Sequence, residues 1–204
     1  MAPPLRTHIF IDGQNLYRDA RDAFHTKTDP SSFGQVDPRK YAQLIVAKNA
    51  ANGVACDLQE IRLYTGFPTN EREPKAYAAH MKQRAFWLRN DVTVFPRPLQ
   101  YPREYPKKPQ REKGVDVELA VDVVTCGLLD KTYDLAVVAS TDTDLVPALT
   151  VICRKQRAWG SPRVQVTIWA PLSKRLRVEN WNMWCHHLDE ADYESVRDRT
   201  NYTL

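Results

Sequence analysis

Cysteine is scarce and scattered in this chain. Cys56, Cys126, Cys153 and Cys185 form no CxxC pair, and no histidine stands at zinc-finger distance from them. That spacing argues against a zinc ribbon or a disulfide framework. Two of the four fall in apolar helical stretches and read as small buried hydrophobes in a reducing cytosol. His8, His25, His80, His186 and His187 show no ligand spacing and no neighbouring nucleophile motif, so histidine-based acid/base catalysis has little support. No apolar stretch approaches the length of a membrane span. The amino-terminal Met-Ala-Pro-Pro-Leu-Arg leads into an apolar run too short and too early for a secretory signal. Internal repeats are absent as well. A hydrophobic share of 43% over 204 residues is enough for one α/β domain with a substantial core. The expectation is a soluble, cytoplasmic protein with no membrane contact.

One sign of charge is also missing over a long stretch. Between residues 145 and 178 there is no Asp or Glu, while Arg154, Lys155, Arg157, Arg163, Lys174, Arg175 and Arg177 all fall there. A second basic stretch contains Arg97, Arg103, Lys107, Lys108, Arg111 and Lys113. Basic surface beside an acidic pocket suits a site that handles a polyanion. Each stretch alone reads equally as an ordinary solvated surface.

What is present is an alternation of strand and helix patterns. Strands are expected at about residues 7–11, 58–65, 92–95, 133–140 and 164–170, the fourth apolar throughout, as in a parallel strand buried on both faces. Helices are expected from Asn15, from Asp37-Pro38 to Asn52-Gly53, from Glu73-Pro74 to Asn90, over residues 116–129 and over residues 143–155. The polar stretch 22–37 and the Pro- and Lys/Arg-rich stretch 96–111 read as loops. The tail, with Trp181, Trp184, His186 and His187, reads as some helix or an edge strand. This alternation implies right-handed crossovers and a parallel sheet of about five strands flanked by helices.

Three acidic segments then stand out: Phe-Ile-Asp12-Gly-Gln-Asn15-Leu, Lys113-Gly-Val-Asp116-Val-Glu118 and Ala-Ser140-Thr141-Asp142-Thr-Asp144. Each follows an apolar run or opens a helix. Side chains at the carboxyl ends of neighbouring parallel strands converge on one crevice. Carboxylates gathered there repel unless protons or cations neutralise them, and a set of hard oxygen ligands suits Mg²⁺ or Mn²⁺. Asp12 ends the first strand and reads as a ligand or as a strand-end cap. Asn15 can orient a water or a phosphate oxygen, or simply cap a helix. Asp116 stands at a helix start, where the dipole favours an acid anyway, with Lys113 beside it as a point charge for phosphate. Asp142 is the stronger candidate of its pair, and Asp144 falls in the first turn of the next helix. Ser140 and Thr141 offer hydroxyls and N–H groups to a phosphate. Glu118 reads as solvated. Trp159, Trp169, Trp181 and Trp184 read as core, with base stacking as the lesser alternative.

Together the three segments resemble the NYN domain, a family of the PIN-like nucleases, in order and spacing over residues 7–170. The resemblance implies a Rossmann-like, PIN-like fold, a Mg²⁺ or Mn²⁺ site built from Asp12, Asp116, Asp142 and Asp144, and hydrolysis of RNA phosphodiester bonds. It also implies a role for Asp122, as a weaker or supporting ligand; a buried polar group at the sheet edge is the alternative. Arg154, Lys174, Arg175 and the basic loop 96–113 are expected to hold the RNA backbone. The nuclease domain is expected over residues 1–172, with residues 173–204 as an extension packing on it or completing it. Two rivals share these features: an RNA-binding regulatory module that does not cleave, and a metal-dependent phosphatase. The second lacks the usual second Asp two residues after the first, because Gln14 stands there.

Overall fold

The computed structural model describes residues 3–30, 32–170 and 172–203. Met1 and Ala2, on which the reading of the amino end partly rests, lie outside the described residues. Six strands, β1 (Leu5–Asp12), β2 (Cys56–Phe67), β3 (Thr93–Pro98), β4 (Leu135–Ala139), β5 (Arg163–Trp169) and β6 (Trp184–Leu188), form one sheet. Six helices accompany them: α1 (Gly13–Phe24), α2 (Pro38–Ala51), α3 (Pro74–Arg89), α4 (Val115–Val124), α5 (Val146–Trp159) and α6 (Glu190–Val196). All neighbouring strands are parallel, in the order β3-β2-β1-β4-β5-β6.

Alternation along β1 splits the core in two. Ile9 and Ile11 point to one face and join Leu16, Tyr41, Ile45, Trp87 and Tyr193 from α1, α2, α3 and α6. Phe10 points to the other and joins Leu119, Val123, Leu149 and Ile152 from α4 and α5. The result is three layers, α/β/α, with β1 and β4 central and buried on both sides. The chain winds outward from β1 to β3, then returns to place β4 on the other side of β1. At that reversal the helix after β1 packs on one face and the helix after β4 on the other, which opens a crevice at the carboxyl ends of the two strands.

The sheet has one strand more than the five expected. β6 pairs with β5 from Gln165↔Trp184 to Trp169↔Leu188. It carries no apolar run: its buried positions are Leu188 and His186, whose Nε2 meets Gln165 Oε1 at 2.8 Å, while Asn49 Nδ2 donates to the same oxygen at 3.1 Å. Burial pushes the His186 pKa down to about 4, so the ring is neutral at neutral pH. The loop after β3 is tied down: Gln100 and Arg111 form an antiparallel bridge, and the Tyr101 hydroxyl donates to Glu73 Oε2 at 2.6 Å. α1 begins at Gly13 rather than Asn15, because Asp12 caps it. The helix expected over residues 116–129 changes pitch, ending in a π turn at Thr125–Leu129. There Gly127 lies against Tyr133, whose hydroxyl donates to Val123 O at 2.6 Å. Among the described residues, no helix is long and apolar enough to cross a membrane.

A methyl group at Gly127 would collide with the Tyr133 hydroxyl. Gly127→Ala is therefore expected to destabilise the protein by about 1–3 kcal/mol despite the better helix propensity of alanine. Thermal unfolding checks this, and an unchanged or raised Tm would contradict it.

Candidate functional site

The crevice is assembled from the ends of β1 and β4. Asp12 is the last residue of β1 and caps α1, its Oδ1 accepting from Asn15 N at 3.0 Å. Its Oδ2 accepts from Ser140 Oγ at 3.2 Å, and Ser140 Oγ accepts in turn from Asp142 N at 3.0 Å. One hydroxyl thus links the two strand ends. Asn15 makes a second link, its Oδ1 taking Thr141 N at 3.0 Å and Thr141 Oγ1 at 2.9 Å. Thr141 Oγ1 also lies 2.9 Å from Asp19 Oδ2. Burial raises the Asp19 pKa, and the bond from Thr141 acts the other way.

α4 and the β4–α5 turn bring in the other acids. Gly114 sits before α4 with φ +76°, a left-handed conformation that glycine tolerates. That turn buries Val115 and puts Asp116 in the cleft wall. Asp142 caps a short 3₁₀ turn, Thr143–Leu145, accepting from Asp144 N at 3.0 Å. One carboxylate oxygen each from Asp116, Asp142 and Asp144 lies within 4.8 Å of the others. Asp12 is outside this trio and deeper, 6% exposed, yet it lines the same cleft as Asn15, Asp116 and Asp142. Burial is the main cause that pushes its pKa up to about 6, and the charges of Glu112 and Asp142 add to it; the hydrogen bonds from Asn15 and Ser140 act the other way.

Four participants were not legible in sequence. Glu112 lines the cleft and accepts from Gly66 N, and burial raises its pKa. It was hidden between Arg111 and Lys113 in a basic stretch. With its amide oriented to satisfy both neighbours, Gln14 donates to Glu112 Oε2 at 3.0 Å and accepts from Arg18 at 3.1 Å. Arg18 follows Gln14 by four residues on the same helix face, a spacing that could have found it. Asp19 is the fourth.

Other expected residues lie elsewhere. Asp122 Oδ2 accepts from Arg62 at 2.6 Å and from the Tyr64 hydroxyl at 2.7 Å, apart from the trio. Glu118 pairs with Arg97 at 2.6 Å on the surface. Lys113 is exposed just before Gly114, and the charge of Lys174 bears on Asp19. Arg154, on α5, and Arg175, whose charge bears on the Cys185 thiol, are not cleft-lining residues. Trp169 is core, donating to Leu16 O at 3.2 Å, whereas Trp159 is 63% exposed with Lys155 over its ring.

A Rossmann-ordered sheet with acids gathered at its switch point defines the class of domain. Residues 6–166 match the NYN domain, and the chain belongs to that family. The family is nuclease-like and metal-dependent, which at the coarse level makes this chain a hydrolase type. A crystal structure of a protein of unknown function from Vibrio parahaemolyticus is similar over 82% of this chain and 84% of that one, at 17% identity and a TM-score of 0.46. No curated protein matches the sequence.

The Asp12 value carries a sign. An acid held above its unfolded pKa favours the folded state while protonated, and that contribution is lost as pH rises from about 4 through about 6. Ionised Asp12 then costs about 3 kcal/mol at neutral pH. Asp12→Asn is expected to raise Tm at pH 7.5 in EDTA, with a gain that fades towards pH 4. A gain independent of pH would contradict this origin.

Proposed function

We propose that the protein is a metal-dependent endoribonuclease of the cytoplasm, acting on RNA at the acidic cleft. The observation that carries this reading is the meeting of Asp116, Asp142 and Asp144 within 4.8 Å at the switch point of an NYN-family sheet. The residues fit a hard divalent cation. The donors are all carboxylates, and among the described residues no Lys or Arg forms an ion pair with Asp12, Asp116, Asp142 or Asp144. Asp116, Asp142 and Asp144 would hold Mg²⁺ or Mn²⁺, with Asp12 as the buried fourth carboxylate. When bound, such an ion supplies activation of water and neutralises charge developing on the phosphodiester.

The protein's own groups do the rest. Ser140 orients Asp12 against Asp142, and Asn15 holds the β4–α5 turn in place through Thr141. Arg18 and Arg111 in the cleft wall, and Lys113 beside it, offer cationic contacts to the strand near the cut. Lys174, Arg154 and Arg175 hold the backbone further away. Asp122 belongs to the ion-pair network of Arg62 and Tyr64 rather than to the metal set. The four cysteines are free thiols, which agrees with a reducing compartment.

Purified protein is expected to cleave unstructured RNA in Mn²⁺ or Mg²⁺ and not in EDTA. Asp142→Asn and Asp12→Asn should abolish cleavage with the fold retained by circular dichroism. Full activity in both variants, or RNA binding without cleavage in any metal, would sink the reading. Ser140→Ala, which unlinks Asp12 from Asp142, should lower the rate by roughly 10- to 100-fold, as read from initial rates.

A further inference from the structure

The chain leaves β5 at Trp169, at the cleft end of the sheet, and enters β6 at Trp184, at the opposite end. Between them residues 172–183 form a strap that spans the length of β5, roughly 20 Å. Leu176, Val178 and Met183 of the strap share a buried cluster with Leu149, Ile152 and Cys153 of α5, so the strap packs beside that helix. With Leu176 and Val178 turned inwards, Arg177 is exposed and Arg175 half-exposed. Arg154 and Arg157 stand three apart on α5, on one flank of the helix, and both are exposed. Arg157 lies over the Trp181 ring, its guanidinium carbon 5.5 Å from the centroid. A groove of about 670 Å³ opens along residues 175–183.

The charge on this face is open. Among the described residues, no Lys or Arg between residues 145 and 178 forms an ion pair, and Glu179 is the one acid in the groove wall. Elsewhere the fold neutralises its arginines, Arg6 with Asp134, Arg62 with Asp122 and Arg97 with Glu118. Cations left together without acids raise a positive potential that a polyanion answers. A concave groove suits a strand better than a flat bilayer. The Arg157–Trp181 pair adds a planar face on which a base can stack, and a lipid headgroup has no such ring. At the upper end of the strap the charge of Lys174 bears on Asp19, whose carboxylate meets Thr141 beside Asp142. The basic track therefore begins at the cleft and leads away from it. The family match ends at residue 166, so the strap lies wholly outside the matched span.

We propose that the strap and the adjoining flank of α5 form a second RNA surface, which grips the single strand as it leaves the cleft. Arg154, Arg157, Arg175 and Arg177 hold phosphates, and one base stacks on the Arg157–Trp181 pair. The proposal rests on the nuclease reading above for the identity of the polyanion. It goes beyond that reading by putting a grip, independent of metal, on the part of the chain that follows the matched domain.

The test titrates the full chain with a fluorescent oligouridylate in EDTA over a series of salt concentrations, with binding read by anisotropy. In a double variant, Arg157→Gln with Arg177→Gln, the slope of log K against log salt should shrink by about 1.4, at roughly 0.7 for each lost phosphate contact on a single strand. Trp181→Leu should weaken binding roughly tenfold and leave the slope as it was. Because Trp181 also packs on the core, the wild type is irradiated in parallel with a strand carrying iodouridine, and cross-linked peptides should fall within residues 175–183. An unchanged slope in the double variant, or cross-links confined to the cleft, would overturn the proposal. Phosphatidylserine vesicles that bind the wild type but not the double variant, while RNA binding holds in both, would assign the face to a membrane and overturn it as well. Cleavage of RNA in Mn²⁺ is scored separately. Cleavage with an unchanged slope removes the second surface and leaves the nuclease reading; a smaller slope without cleavage in any metal does the reverse. No RNA binding at all overturns both.

Discussion

The free energy of keeping a carboxylate at the end of a doubly buried strand constrains much of this molecule. β1 is central, so whatever ends it is shielded from water, and Asp12 ends it. The fold answers with a backbone N–H from the first turn of α1 and a hydroxyl from the end of β4. Those two bonds offset the desolvation only in part, which is why the Asp12 pKa stays high. They also determine where β4 must stop. Ser140 has to reach Asp12 and accept from Asp142 in the same place, so the geometry of the acidic trio follows from the burial of a residue outside it.

The parts of the fold that sequence reveals are those whose burial is uniform. β4 reads as a strand because both faces meet helices and every position is apolar. α2 reads as a helix because Asp37 and Pro38 mark its start, and Asp37 does accept from Arg39 N and Lys40 N. β6 reads only as an edge strand or some helix because it has no apolar run: beside Leu188, its other buried position is a histidine, paired with Gln165, which Asn49 bonds in turn. No local pattern encodes a chain of partners that runs 21 residues back to Gln165 and from there 116 residues to Asn49.

The site divides along the same line. Asp116, Asp142 and Asp144 are legible as strand-end or helix-start acids, and the fold brings them together. Glu112 is not legible, because its local context is basic and proline-rich; only the return of the loop, closed by the Gln100–Arg111 bridge, carries it into the cleft. Asp122 shows the opposite difficulty. It has the residue type and the helical neighbourhood of a ligand, but Arg62 and Tyr64 take its oxygen, and nothing in the local sequence announces that.

The sixth strand has a consequence for where the physical unit ends. The family match stops at residue 166, inside β5, yet the sheet runs on through Leu188 and the core through Tyr193 and Val196. Trp169 packs edge-on against both Tyr41 and Tyr193, and Lys48 on α2 reaches Asp192 at 2.8 Å. A chain shortened to the matched span would cut β5 short, leave its edge bare with an open row of N–H and C=O groups, and leave a hole in the core where Trp169, Leu188 and Tyr193 pack. Bare edges of that kind recruit other chains. The last fifth of the sequence, which carries none of the acidic motif, is thus what closes the core behind the nuclease-like sheet and carries its open edge out to a short strand rich in polar residues.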